Sequence, residues 1–479
     1  MNRICATLLV LPVLLSGCNA DVSPATAPTI QTNPPAAVSA SQSTVEPPPI
    51  PDTVIDGDHL TLFVEPRITH QTIKDVTGGN FINVFSGTTD PAEPVSRYNL
   101  DHLPVRVARV RMTLEEWEPV NDDADPSHIN WDSFQDTKYN HVTFLLMQGL
   151  QARGTEIVVT SWDLPDWIVS DPNKSTQRFV PYENYPEVVE MISAWLLRAR
   201  DEYGVEPAYV SFNEPDVGAY ITIAPFEAVM LVEQAGKRFN ELRIKTKWLI
   251  ADTANIDGSV AYARSVLKKE SVRPYLGVLA HHSWDSDSPD SDYLEVREFA
   301  LENGLEVWCT ETGSNAFSWQ TPEKFPTYAY AVELARIYSR VLKLTGANAV
   351  LYWEMMGSDY WINDGMNPYP SFNVIRQLDE QIPTGSVIVE TSNNTDVFYS
   401  VAAQAPDHFA VFMVNTGSEP LDVTVQGLPD GQYTHIQTTE TKSEEVVGYH
   451  VVPTEKVSLQ IPGMSIHVIT SRALTGEDQ

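Results

Sequence analysis

Eight short apolar runs, each followed by a stretch with helical spacing, occupy the middle of this chain, and nothing else narrows its folding options as far. The runs are residues 73–81, 105–112, 156–160, 208–212, 247–252, 276–281, 306–310 and 349–353. They are rich in β-branched and aromatic residues and too short to be typical helices. Between them apolar residues recur at three- and four-residue steps, most clearly Val188, Met191, Ile192, Trp195, Leu196 and Ala199, with similar spacing over 226–239, 293–301 and 328–344. Strand and helix in strict alternation predict parallel strands joined by right-handed crossovers. Eight such units within about 300 residues match a closed (β/α)8 TIM barrel, placed here at residues 67–381.

The flanks differ. After about residue 382 the helical spacing gives way to alternating strands at 409–414, 421–425, 433–437, 457–461 and 465–470, separated by Gly, Pro and Asp-Gly. This predicts a C-terminal all-β sandwich over 382–472 followed by a short tail, 473–479. An isolated strand at 58–66 precedes the barrel and is expected to join that sandwich from the other end of the chain. Residues 19–57 are rich in Pro, Ala, Ser and Thr, include Pro47-Pro48-Pro49, and read as a disordered tether.

Residues 1–18 have a charged tip at Arg3, an apolar stretch and small residues at the end, the pattern of an export signal too short for an ordinary membrane span. Leu15-Ser16-Gly17-Cys18 resembles a bacterial lipobox, which would make Cys18 the lipidated first residue of the mature protein. The alternative is a plain signal peptide cut nearby. Asn19 after the cysteine fits an outer-membrane lipoprotein, on the periplasmic or cell-surface side, held to the membrane through its N-terminal lipid alone. Of the three cysteines this leaves Cys309, so no intrachain disulfide framework is expected, and its apolar strand argues for a buried, unreactive thiol. A formal net charge of −33 repels phosphate backbones and excludes nucleic acid as a partner.

In a barrel enzyme the working groups stand at the carboxyl ends of the strands. Here those ends are polar and aromatic: Arg109, Arg111 and Thr113; Ser161-Trp162; Asn213-Glu214; Asp252; His281, His282 and Trp284; Glu311; and Tyr352-Trp353-Glu354. Glu214, in Asn213-Glu214-Pro215, and Glu311, in Thr310-Glu311, are two carboxylates presented after separate strands, as cleavage of a glycosidic bond by an acid/base and a nucleophile requires. The plainer reading is a pair of solvated surface carboxylates. Trp162, Trp284 and Trp353 offer flat faces on which sugar rings could stack, or else cap the barrel core, while Trp167 reads as a loop support. His282 is expected to touch substrate or nucleophile, and His281, facing the other way, the core. The acidic run 285–292 lacks the glycine and terminal glutamate of an EF-hand loop and reads as solvated. No metal or cofactor is expected.

These strand ends resemble the clan of (β/α)8 retaining glycosidases whose acid/base follows strand four in an Asn-Glu-Pro motif and whose nucleophile follows strand seven. Within the clan the chain is most similar to glycoside hydrolase family 30. Gln71-Thr72-Ile73-Lys74-Asp75-Val76-Thr77-Gly78-Gly79-Asn80-Phe81 looks like that family's opening Gln-x-Ile-x-Gly-Phe-Gly-Gly-Ser-Phe, departing at Asp75 and Val76. Ser161-Trp162-Asp163-Leu164-Pro165-Asp166-Trp167 is similar to its Pro-Trp-Ser-Pro-Pro-x-Trp loop. Arg109-Val110-Arg111-Met112 stands where the family has Arg-Val-Pro-Met, and His282-Ser283-Trp284 where it has His-x-Tyr.

The resemblance implies Glu214 as general acid/base, Glu311 as nucleophile and a β-linked glycan as substrate. It places Arg109, Trp162, Asn213, His282, Trp284 and Trp353 at the substrate, with Asn213 on the sugar 2-hydroxyl. Arg109 near Glu311 would favour its ionised form. The rival readings are a neighbouring-clan glycosidase of family 5 or 39 type and a catalytically inactive, surface glycan-binding lipoprotein. The loops 314–326 and 355–370, with Trp319, Tyr360, Trp361 and Asp364, are expected to shape the subsites.

Overall fold

The computed structural model describes residues 50–56, 59–82, 94–356, 360–453 and 457–473. The export signal, Cys18 and most of the tether lie outside the described residues, as does nearly all of the tail. Two strands precede the barrel, β1 (Val54–Asp56) and β2 (His59–Thr72). The barrel strands follow: β3 (Asp75–Phe81), β4 (Val107–Arg111), β5 (Glu156–Ser161), β6 (Tyr209–Phe212), β7 (Lys247–Thr253), β8 (Leu276–His282), β9 (Val307–Thr312) and β10 (Ala347–Met356). One principal helix succeeds each: α1 (Pro94–His102), α2 (Lys138–Ala152), α3 (Tyr185–Tyr203), α4 (Pro225–Leu242), α5 (Ser259–Leu267), α6 (Asp290–Asn303), α7 (Tyr328–Arg340) and α8 (Pro370–Gln381). All barrel pairings are parallel and the sheet closes through β10 and β3.

Local chemistry explains these elements. Barrel strands are covered by side chains within and helices without, so they read as unbroken apolar runs rather than alternating ones. Val107, Val158, Leu249, Val278, Ala280, Trp308, Ala349 and Leu351 fill the interior as one cluster. Helix α3 starts with a proline in its first turn and stops at Gly204, whose left-handed backbone (φ 70°) returns its N–H to the carbonyls of Ala199 and Arg200. The stripe Val188, Met191, Ile192, Trp195, Leu196 and Ala199 is buried as its spacing predicts.

The remaining strands are β11 (Val387–Thr391), β12 (Phe398–Gln404), β13 (Phe409–Asn415), β14 (Leu421–Gln426), β15 (Gly431–Thr439), β16 (Lys442–Val452), β17 (Val457–Ile461) and β18 (Ser465–Thr470). They form the C-terminal β domain, which β2 completes by pairing antiparallel with β11 and parallel with β14. Alternation sends β13 into two cores: Phe409, Val411 and Met413 meet Leu60, Leu62 and Val423, while Phe412 and Val414 belong to the main cluster that includes barrel-helix residues.

Two boundaries differ from the sequence expectation. Val54–Asp56, read as tether, is a strand, because its backbone pairs antiparallel with Leu60 and its neighbours. The strand expected at 58–66 runs on to Thr72, because its second half is paired with β11.

Candidate active site

The strand ends converge around one fully buried arginine. Arg109, on β4, has Asn80 of β3 as its register partner, and His282, on β8, has Glu311 of β9. Arg109 Nη1 donates to Glu311 Oε1 (2.5 Å) and to Asn80 Oδ1 (3.1 Å). Its Nη2 donates to Asn213 Oδ1 (2.8 Å) and Asp252 Oδ2 (3.0 Å). Thr160 Oγ1 is a fifth, longer contact of Nη2 (3.4 Å), and a planar fork of donors suits such a ring of acceptors, which a lysine could not satisfy.

Glu214 and Asp252 are held in the left-handed region, at φ 46° and 59°, with Ala251 at 73°. Such backbone costs about 1–3 kcal/mol per residue and persists where surroundings over-determine it. The surroundings are visible: Glu214 N–H donates to the Asp252 carbonyl (3.2 Å), and Asn213 N–H to that of Ser161 (2.9 Å). The ends of β5, β6 and β7 are thereby tied together and aim the Glu214 side chain inward.

His282 lies between the carboxylates. Its Nδ1 is 3.2 Å from Glu214 Oε1 and 3.3 Å from Glu311 Oε2, and its Nε2 is 3.4 Å from Asp252 Oδ1. The last contact is an ion pair rather than a well-formed hydrogen bond. Burial alone would discharge the ring, but Glu311, Asp252 and Glu214 outweigh it and push its pKa up to about 10. One carboxylate oxygen of Glu214, one of Glu311 and a His282 ring nitrogen all lie within 4.8 Å of one another. Such a trio could ligate a metal ion only after losing the imidazole proton, since a protonated nitrogen has no lone pair to give.

The charges can be counted. Arg109 and protonated His282 supply two positive charges among Asp252, Glu311 and Glu214. Asp252 is fully buried, yet Arg109 and His282 hold its carboxyl far below the ordinary range, helped by Thr310 Oγ1 at 2.5 Å and Ser211 Oγ at 2.7 Å. Burial raises Glu311, opposed by His282 and then Arg109. Arg109 thus acts on Glu311 in the expected direction, but desolvation wins.

Several residues expected at the substrate also make contacts within the protein. Arg109 and His282 are wholly buried, and the Asn213 oxygen is engaged by Arg109. Trp284 is tied at its edge: its indole N–H donates to Glu311 Oε2 (3.1 Å), while Arg109 holds Oε1. Gly313 permits this, since a Cβ there would come within 2.8 Å of the indole. Trp162 is buried under the guanidinium groups of Arg109 and Arg111, 4.9 and 5.6 Å from its ring centre. Trp353 remains partly exposed, 6.2 Å from Trp162 and 6.3 Å from Trp284 between ring centres, so the three tryptophans form one wall.

Elsewhere the placements are simpler. Trp167 donates to the Glu118 carbonyl (2.8 Å) and supports its loop. His281 is buried and its pKa falls to about 4, chiefly by desolvation. The Cys309 thiol is buried and pushed up to about 12. In the acidic run, Arg336 pairs with Asp287 and Arg340 with Asp290, while Asp285 accepts the Ile256 N–H (3.0 Å). Two arginines thus pair with two of the four aspartates, and the run remains largely open to solvent. Tyr360 donates to the carbonyls of Asn315 and Ala316, joining the two expected subsite loops.

Asp252, a polar strand end in the sequence, is joined in the centre by Asn80 and Thr310, and none of the three carries a catalytic or substrate-binding expectation from sequence. The signal available was polar residues closing apolar runs, which marks Asp252 after Trp248-Leu249-Ile250.

No protein-family model and no curated protein sequence matches the chain. Solved structures do. A glycoside hydrolase family 30 subfamily 8 xylanase from Clostridium acetobutylicum aligns with TM-score 0.67 at 16% identity, covering 86% of this chain and 100% of that one. A monomeric β-xylosidase from Caulobacter crescentus aligns with TM-score 0.59 at 15% identity over 87% and 100%. An endo-β1,6-glucanase aligns with TM-score 0.58 at 13% identity over 86% and 95%. At these identities the likeness is one of fold, a barrel with an attached β domain.

Proposed function

We propose that this protein is a retaining β-glycoside hydrolase in which Glu311 is the nucleophile and Glu214 the general acid/base. The observation that carries the reading is the approach of the two carboxylates, one oxygen of each lying within 4.8 Å of the other and both groups touching His282 Nδ1, Glu214 just past the end of β6 and Glu311 in β9. Inverting enzymes keep their carboxyls about 6.5–9.5 Å apart to admit water, and retaining ones about 5–5.5 Å apart. The fold neighbours that act on xylan, β-xylosides and β-1,6-glucan support the same class.

The steps follow from this reading. Glu311, fixed by Arg109 on one oxygen and Trp284 on the other, attacks the anomeric carbon as the bond to the leaving oxygen breaks. Glu214 gives its proton to that oxygen. With two fixed cations among three carboxylates, one further proton makes the cluster neutral, and the first step needs it on Glu214. Water, deprotonated by Glu214, then releases the sugar with net retention. Because the buried cations are already in place, little reorganisation accompanies the movement of charge.

Export as a lipoprotein anchored through Cys18 belongs to the same proposal and rests on the lipobox-like Leu15-Ser16-Gly17-Cys18. Metabolic labelling with a fatty-acid probe should mark the wild type and not Cys18→Ala.

Hydrolysis is tested on a glycan panel starting with xylan and β-1,6-glucan. Glu311→Ala should lower kcat by about 10⁴-fold or more. Glu214→Ala should lower it by about 10²–10⁴-fold, with azide restoring turnover of an aryl glycoside as the β-glycosyl azide. NMR of the first-formed product should show the anomeric configuration of the substrate. Wild-type activity in Glu311→Ala, or an inverted product, overturns the assignment.

A further inference from the structure

The loops after β5 and β6 are joined by a short parallel ribbon. Arg178 and Ile221 are bridge partners; Arg178 N–H donates to the Tyr220 carbonyl (3.0 Å), and Thr222 N–H to that of Arg178 (2.7 Å). Gln177 N–H adds a bond to the Gly218 carbonyl (2.9 Å), and Gly218 N–H returns to the carbonyl of Glu214 itself (2.9 Å). Gly218 is required for so close an approach: its φ is 64°, and a Cβ would stand 2.1 Å from Thr222 Oγ1. Beneath the ribbon the buried Arg178 side chain pairs with Asp163 and Asp166 and donates to the Leu164 carbonyl. The ribbon is therefore a fixed extension of the loop that carries Glu214.

Alternation decides what it presents. Arg178 and Ile221 point inward and are buried, so their neighbours Phe179 and Tyr220 point to the opposite face. They are 48% and 39% exposed, and neither belongs to a hydrophobic cluster of the described residues. Two half-exposed aromatic rings on a rigid ribbon, with no role in the core, suit a flat amphipathic ligand such as a sugar ring.

Building on the glycosidase reading above, we infer that this ribbon is the leaving-group subsite, with Phe179 and Tyr220 as the platform for the sugar on the reducing-end side of the bond cleaved. A general acid protonates the glycosidic oxygen, which departs with the leaving group, so that group must lie on the acid's side of the reacting carbon. Here the acid's own loop continues directly into the aromatic ribbon. The substrate is accordingly an oligosaccharide or polysaccharide, with at least one sugar on the reducing-end side of the bond cleaved.

The test compares full-length wild type with Phe179→Ala, Tyr220→Ala and the double variant on xylohexaose and p-nitrophenyl β-xylobioside, or on the matching β-1,6-glucan pair if that is the backbone cleaved. The ratio of kcat/KM for hexasaccharide over aryl glycoside should fall about tenfold for each single variant, the scale of one aromatic contact. Cleavage of the hexasaccharide should also shift toward its reducing end, where fewer sugars occupy the leaving side. Phe179→Tyr, which keeps the ring, should restore both. A ratio unchanged within about twofold together with an unmoved cleavage pattern, in variants that melt like wild type, overturns the inference while leaving the glycosidase reading intact. A wild type that cleaves no glycan of the panel overturns the glycosidase reading and the subsite with it.

Discussion

Two groups of buried carboxylates stand close to one end of the barrel and resolve the same problem in opposite ways. At the strand ends, Asp252 and Glu311 are sealed from water but face Arg109 and His282. Between α3 and the loop after β4, Glu118 and Glu190 are equally inaccessible, and their neighbours are Asp122 and Glu187, further acids. Among the described residues no donor reaches either Glu190 oxygen or Glu118 Oε2. Burial, reinforced by these acids, raises Glu118 to about 8 and Glu190 to about 9. A buried acid can be answered by a cation or by a proton, and only the first leaves it charged for chemistry.

The sharpest way to break this contrast is to remove the cation. Arg109→Met leaves Asp252 and Glu311 desolvated without their principal partner and should cost about 3–5 kcal/mol of stability, since a buried ion pair stripped of one member is strongly penalised. Denaturant melts would show the loss, and activity should vanish. A variant as stable as wild type would mean that the two groups do not differ as described.

A smaller effect is expected from Trp284→Phe, which keeps a ring but loses the N–H on Glu311. Hydrogen bonds to charged groups are worth about 1.5–3 kcal/mol, so kcat should fall by about 10–100-fold. KM should change little, and a rise in KM with kcat intact would return Trp284 to sugar stacking.

The proton-bearing group gives an effect that is small over any narrow pH step and accumulates along the pH axis. The folded state keeps protons on Glu118 and Glu190 that the unfolded chain loses above 4.5, so their contribution is fullest below that value. It declines as pH rises toward 8–9 and is level beyond, with a slope of at most about 1.4 kcal/mol per pH unit for each proton retained. Glu190→Gln removes one such group and should flatten the decline in urea melts between pH 5 and 9. A slope identical to that of wild type would show that Glu190 is ionised in the folded protein.

The parts legible in sequence were those set by local pattern. All eight barrel strands overlap apolar runs, because strands covered on both faces have no polar alternation to interrupt them. Glu214 and Glu311 stood out because they close such runs. What pattern does not carry is the partner across the barrel: that both Nη groups of Arg109 are spent on protein acceptors, or that Trp284 turns its N–H to Glu311, depends on register between strands distant in sequence. Glu190 was illegible for another reason. In a helix a glutamate ordinarily marks the wet face, but α3 is covered nearly all round, burying Glu190 with the apolar stripe. β1 escaped notice because three residues in a Pro- and Thr-rich stretch have no period to read.

The long strand β2 has a consequence for how the chain is made. Val64 lies beside Thr391 and Leu60 beside Val423, so β2, whose start pairs locally with β1, waits more than 300 residues for its other partners. A chain interrupted within the barrel would carry β2 as an open edge, an invitation to pair with another chain. Completion of the C-terminal β domain thus closes an edge that a shorter chain would leave open.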